Sequence, residues 1–113
     1  MDNKIKAMNA YVEARTKKSN IKENEKIVLE CKTDWCYFFA LNIPGADIKA
    51  HEQVILELKN PESSYFFAMD IPGANVEEHF KVIYNSGDKG WLYSFIKLVN
   101  YKGTRVEEWL PYI

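Results

Sequence analysis

The chain repeats itself. Tyr37-Phe38-Phe39-Ala40-Leu41-Asn42-Ile43-Pro44-Gly45-Ala46-Asp47-Ile48 recurs 28 residues later as Tyr65-Phe66-Phe67-Ala68-Met69-Asp70-Ile71-Pro72-Gly73-Ala74-Asn75-Val76. Extended through Leu56 and Tyr84, the match keeps 11 identities in 20 aligned positions, among them His51 with His79, Val54 with Val82 and Ile55 with Ile83. A period of this size belongs to a supersecondary unit that buries its apolar side against copies of itself, which restricts the fold more than any other property of the sequence.

Weaker copies flank the strong pair. Asn20-Ile21-Lys22-Glu23 and Ile27-Val28-Leu29-Glu30 align 27 residues before Asp47-Ile48-Lys49-Ala50 and Val54-Ile55-Leu56-Glu57, which puts Tyr11-Val12 at the place of Phe38-Phe39. Downstream, Tyr93-Ser94-Phe95 matches Tyr65-Phe66-Phe67. After a two-residue insertion, Gly103-Thr104-Arg105-Val106-Glu107-Glu108 matches Gly73-Ala74-Asn75-Val76-Glu77-Glu78. The expectation is a single domain over residues 1–113, made of about four units at 5–32, 33–59, 60–87 and 88–113.

The punctuation inside each unit predicts two short helices. Pro44 and Pro72 lack a backbone N–H and push the preceding residue out of the α region, so the first helix stops near Ile43 and Ile71. Gly45 and Gly73 then permit a tight reversal. Asp47 and Asn75 are suited to accept from the free N–H groups of the following helix, and capping boxes are expected at Asn20 with Glu23, Asn75 with Glu78 and Thr104 with Glu107. Asn60-Pro61 reads as a helix start, and Gly87-Asp88 as a stop followed by a new cap. Apolar residues Ile48, Ile55 and Leu58, and again Val76 and Ile83, mark the inner stripe of the second helix; Ala40 and Ala68 allow close approach on the first. The fold class that follows is all-α, a short α-solenoid of helix-turn-helix repeats of 27 to 30 residues with eight helices.

Composition narrows the function. With 113 residues, 27% charged and a net charge of −1, the chain is neither a disordered tail nor a strongly basic binder of nucleic acid. Residues 1–32 carry eight Lys/Arg against five Asp/Glu, and the remainder seven against eleven. No stretch approaches the roughly 18 apolar residues of a membrane span, and the two cysteines, Cys31 and Cys36, form neither a redox pair nor a disulfide framework. A reducing, cytoplasmic setting is expected.

Chemistry-bearing residues point away from catalysis. Cys31, Cys36, His51 and His79 follow no common zinc spacing, and a histidine duplicated at one repeat position reads as a copied packing residue, so no metal or cofactor is expected. No Gly-rich nucleophile turn or phosphate loop is present, and no catalytic residue is assigned. Tyr37, Tyr65 and Tyr93 recur once per unit and Arg15, Lys17, Lys18, Lys22 and Lys26 cluster, which would suit a nucleic-acid-binding helical repeat; packed rings and a solvated helix face explain both more simply. An acidic surface of Glu52, Glu57, Asp70, Glu77, Glu78, Glu107 and Glu108 is a further reading, as a nucleic-acid mimic.

The duplicated Tyr-Phe-Phe-Ala-x-(Asp/Asn)-Ile-Pro-Gly-Ala-(Asp/Asn) phrase resembles short bihelical tandem repeats of uncharacterised bacterial and prophage-encoded proteins. The resemblance covers some 40 residues at the centre of the chain. It implies a helical-repeat fold in a mobile-element setting and admits a phage-borne inhibitor of a host defence nuclease, anti-CRISPR-like in class. It supplies no catalytic residues. The leading expectation is a non-enzymatic protein–protein interaction module, with a bacterial defence effector among the partners considered and self-association open. Its partner-binding residues are taken as Trp91, Tyr101 and Trp109, then Glu78 and Glu108.

Overall fold

A computed structural model describes residues 2–101, with side chains described through Val99. Helices in order are α1 (Asn3–Lys17), α2 (Ile21–Cys31), α3 (Trp35–Asn42), α4 (Ile48–Leu58), α5 (Pro61–Asp70), α6 (Val76–Ser86) and α7 (Lys89–Tyr101). The protein is all-α, with no strand among the described residues. An eighth helix would fall at 102–113, outside them.

The proline turns act as their chemistry requires. Helices α3 and α5 end at Asn42 and Asp70, with Ile43 and Ile71 extended (φ −101° and −97°) and their N–H groups donating to Phe39 O and Phe67 O. Gly45 and Gly73 then take φ of +80° and +81°, the left-handed region that a side chain disfavours. Helix α1 has no proline to stop it and runs for 15 residues, against 8 and 10 for α3 and α5.

Most expected caps form. Asn60 accepts from Glu62 N and Ser63 N with Pro61 in the first turn, Asp47 accepts from Ala50 N, and Asp88 from Trp91 N. One differs. Asn20 sits in the left-handed region (φ 52°) and makes no side-chain cap, because it serves the tight α1–α2 connection instead. Asn75 accepts from Glu78 N, and the Glu78 carboxylate meets Lys81 Nζ at 3.2 Å.

The chain divides into two compact units, the first ending at Leu58 and the second beginning at Lys59. In the first, α1 packs on α2 and α3, α2 on α3 and α4, and α3 on α4. Its core holds Ala7, Ala10, Tyr11, Ala14, Val28, Cys36, Phe39, Ile43, Val54 and Ile55. In the second, α5 packs on α6 and α7, and α6 on α7, around Ala68, Phe80, Ile83, Phe95 and Val99. Leu58, expected on the inner stripe, is 37% exposed because it closes the last turn of α4 beyond the reach of the core.

Burial also corrects the alignment of the first helix. Cys36, Phe39 and Ala40 of α3 and Ile43 just after it are buried, and Ser64, Phe67, Ala68 and Ile71 follow at a spacing of 28. In α1 the same pattern falls on Ala7, Ala10, Tyr11 and Ala14, a spacing of 29, so Ala10 stands where Phe39 stands and Tyr11 where Ala40 stands. Val12, aligned by sequence with Phe39, is 45% exposed. The second helices keep the spacings of 27 and 28: Asn24, His51 and His79 are all buried at one position. The two-residue difference lies in the extension of α1 to Lys17, past the place where α3 and α5 stop, and the connection to α2 is correspondingly short.

Candidate functional site

A polar tie anchors the first unit. His51 on α4 is fully buried, and its Nε2 donates to Glu25 Oε2 on α2 at 2.9 Å. That oxygen also accepts from Asp47 N at 2.8 Å, so one carboxylate holds both the imidazole and the start of α4. The ring stacks on Phe39 with centroids 5.0 Å apart and planes 25° from parallel, and His79 lies against Phe67 in the same way at 5.3 Å and 30°. The duplicated histidines are thus core packing residues at equivalent places. Among the described residues, no group of three or more His, Cys, Asp or Glu side chains could hold a metal ion.

With Nε2–H directed at Glu25, His51 Nδ1 is a buried acceptor without a hydrogen-bond partner. A second proton there would bring a charge into the core with nothing to receive it. Burial accordingly pushes the imidazole below its ordinary value, and the bond and charge of Glu25 and the charge of Asp47 offset this only in part. The unfolded chain takes up a proton near pH 6.5 that the folded chain refuses, so His51 makes stability fall as pH drops from about 6.5 toward the lowered native value. Melting temperatures between about pH 7.5 and 5 should show this decline, and His51→Gln, which keeps a donor toward Glu25, should flatten it. An unchanged slope would assign the acid sensitivity elsewhere.

Cys31 and Cys36 are both buried free thiols. Cys36 Sγ points at Val28 O, 3.8 Å away, and burial raises its pKa to about 12, which removes the thiolate that nucleophilic chemistry needs.

The accessible feature of the first unit is apolar. On α1 and α3, Val12, Phe38 and Leu41 are 45%, 38% and 42% exposed, and the burial register puts Val12 and Leu41 at equivalent positions of successive helices. The rings of Tyr11 and Trp35 interlock with that of Phe38, with Tyr11–Trp35 at 5.5 Å and Trp35–Phe38 at 4.9 Å. The Tyr11 hydroxyl accepts from Asn42 Nδ2 at 2.9 Å and Arg15 at 3.2 Å, which fixes the platform. Its rigidity means that little side-chain entropy is lost on contact with a partner.

In the second unit, Trp91 packs on Tyr65 at 5.2 Å and on Phe66 at 5.7 Å and is half-buried, so it extends the core as much as it presents an anchor. Glu78 lies in the first turn of α6, paired with Lys81. The Tyr101 side chain, Glu108 and Trp109 lie outside the described residues. Tyr93 departs from the expected packed ring: it is 61% exposed, with Lys97 Nζ 4.6 Å from its centroid, whereas Tyr37 and Tyr65 are half-buried. Glu52, counted among surface carboxylates, is buried on α4 beside His51 and cannot contribute to an acidic surface.

Sequence reasoning missed Val12, Phe38, Leu41 and Glu25. A signal existed for two of them. The eight residues Trp35-Cys36-Tyr37-Phe38-Phe39-Ala40-Leu41-Asn42 are apolar almost all round, and a helix with neighbours on part of its circumference must leave some of those side chains uncovered. Among the described residues, no helix is long and apolar enough to cross a membrane. Comparison with known proteins finds no matching family model, no matching curated protein and no matching solved structure.

Proposed function

We propose that this protein is a non-enzymatic protein-interaction module whose contact surface is the first-helix face of its repeats. The observation that carries the reading is the row of Val12, Phe38 and Leu41 left uncovered over a pinned aromatic platform. Apolar side chains grouped over well-packed rings resemble the centre of a protein interface, where aromatic anchors supply most of the binding energy. The resemblance to prophage-borne repeats makes a bacterial defence effector the first partner class to test.

The chain immobilised as bait should capture its partner from bacterial extract and retain it at about 0.3 M salt, where contacts made through phosphates weaken steeply. Leu41→Asp and Phe38→Asp, both at exposed positions, should abolish capture with the helical content unchanged. Capture lost to salt and insensitive to these variants would instead favour the basic residues Arg15, Lys17, Lys18, Lys22 and Lys26 and a nucleic-acid ligand.

A further inference from the structure

One cation is held in place at the edge of the exposed apolar row. The Tyr11 hydroxyl accepts from Asn42 Nδ2 at 2.9 Å and from Arg15 Nη1 at 3.2 Å. Two donors, one from α1 and one from α3, thus meet on a single oxygen, which sets the Arg15 guanidinium at the seam between those helices, where Asn42 follows Leu41. Val12 stands three residues before Arg15, and side chains three apart share a helix face. Val12, Leu41 and Arg15 therefore border one surface.

The tether to Tyr11 occupies one nitrogen of the guanidinium. Arg15 is exposed, its other N–H groups point to no protein acceptor, and no carboxylate among the described residues pairs with it. Glu13, the one carboxylate of α1, is on nearly the opposite side of that helix, because two residues turn it by about 200°. There it lies with Lys6 and Asn24 in the depression between α1 and α2. The remaining charges of α1 are Lys4, Lys6 and Lys17, and α3 has none. The first-helix layer of this unit is accordingly cationic around an apolar centre.

An arginine so placed is suited to a carboxylate. Its planar fork matches two oxygens at once, and a side chain already fixed by a hydrogen bond loses less entropy on pairing. An apolar side chain seated over Val12 and Leu41 would also displace water from the Arg15 edge, which strengthens attraction to an anion and penalises a partner that brings none. We infer that Arg15 is the charge-selecting anchor of this surface, and that the protein segment covering Val12, Phe38 and Leu41 carries an aspartate or glutamate beside its apolar residues. This deepens the interaction-module reading and rests on it for the apolar contact.

Random dodecapeptides displayed on phage, selected on the immobilised full chain and in parallel on Arg15→Glu, provide the test. The native chain should enrich sequences with Asp or Glu next to Leu, Ile or Phe, and Arg15→Glu should exchange that acid for Lys or Arg. An enriched peptide followed by fluorescence anisotropy should bind Arg15→Gln at least about tenfold more weakly. It should also lose binding to Leu41→Ser, which removes the apolar contact without adding a charge beside Arg15. If Arg15→Glu does not keep its helical circular dichroism, Arg15→Lys serves in its place: it should retain the acidic preference at several-fold lower affinity, since an ammonium lacks the fork. Enriched peptides with no acidic bias, an acidic bias that survives Arg15→Glu, or no enrichment at all overturn the assignment. So does a single-stranded oligonucleotide that binds more tightly than any peptide and is lost with Arg15→Glu, which would give the cation to a phosphate. Apolar peptides that need Leu41 and ignore Arg15 would sink the carboxylate alone and leave the interaction module standing, so the two readings fail separately.

Discussion

Replacing Phe39 by alanine should destabilise the first unit by about 3–5 kcal/mol, the largest effect expected of any single side chain described here. Phe39 has no exposed surface, stacks on His51 at 5.0 Å and meets Tyr11 edge-on at 6.4 Å. Its loss removes the buried apolar area and leaves a cavity against the polar imidazole. The neighbourhood has little freedom to collapse, because α3 is only eight residues long and is tied down by the Pro44 turn at one end and the α2–α3 connection at the other. The first helix pair tolerates alanine at this place for a different reason: Ala7, Ala10 and Ala14 form a small-residue stripe along which α1 approaches α2 closely. Urea unfolding followed by circular dichroism measures the change. A loss below about 1 kcal/mol would mean that α3 and α4 close over the gap as α1 and α2 do.

Glu25→Ala should cost about 2–3 kcal/mol, more than a surface carboxylate contributes. Its Oε2 receives both His51 Nε2–H and Asp47 N–H, and only the second of these donors has water to turn to. The imidazole N–H would be left in the core with no acceptor. Glu25→Gln, which keeps an acceptor oxygen but no charge, should lose about 1 kcal/mol, and the difference between the two variants separates hydrogen bonding from charge. The acid response provides a second reading. Glu25 holds the His51 pKa up against burial, so its removal lowers the native value further and carries the loss of stability to lower pH. If Glu25→Ala unfolds at the same urea concentration as the native chain, the α2–α4 tie contributes nothing and the stacked rings alone hold the pair together.

Both substitutions probe contacts that the sequence discloses unequally. Pro44 and Pro72 end their helices one residue before the isoleucines that precede them, Gly45 and Gly73 turn with positive φ, and Asn60 and Asp88 cap the helices they begin. These outcomes depend on residues within four positions of one another, which is why composition and spacing sufficed for them. The repeat made the burial of His51 and His79 legible as well, since a duplicated residue inside an apolar stripe is a packing residue.

Other features needed the fold. The register of α1 slips by two residues against the sequence match, because the missing proline lets the helix run on to Lys17 and the extra residues lie in that extension; Tyr11 therefore lies inside and Val12 outside. Glu25 looks like any charged helix residue until α4 brings His51 and Asp47 to it from 26 and 22 positions away. Which side of the wholly apolar α3 stays uncovered is likewise decided by where α1, α2 and α4 pack on it. Local chemistry chose where each helix begins and ends, and the amino-acid sequence determined that much by itself. Which atoms meet, and which are left exposed, depended on distances between helices, a property that exists only once the helices have packed.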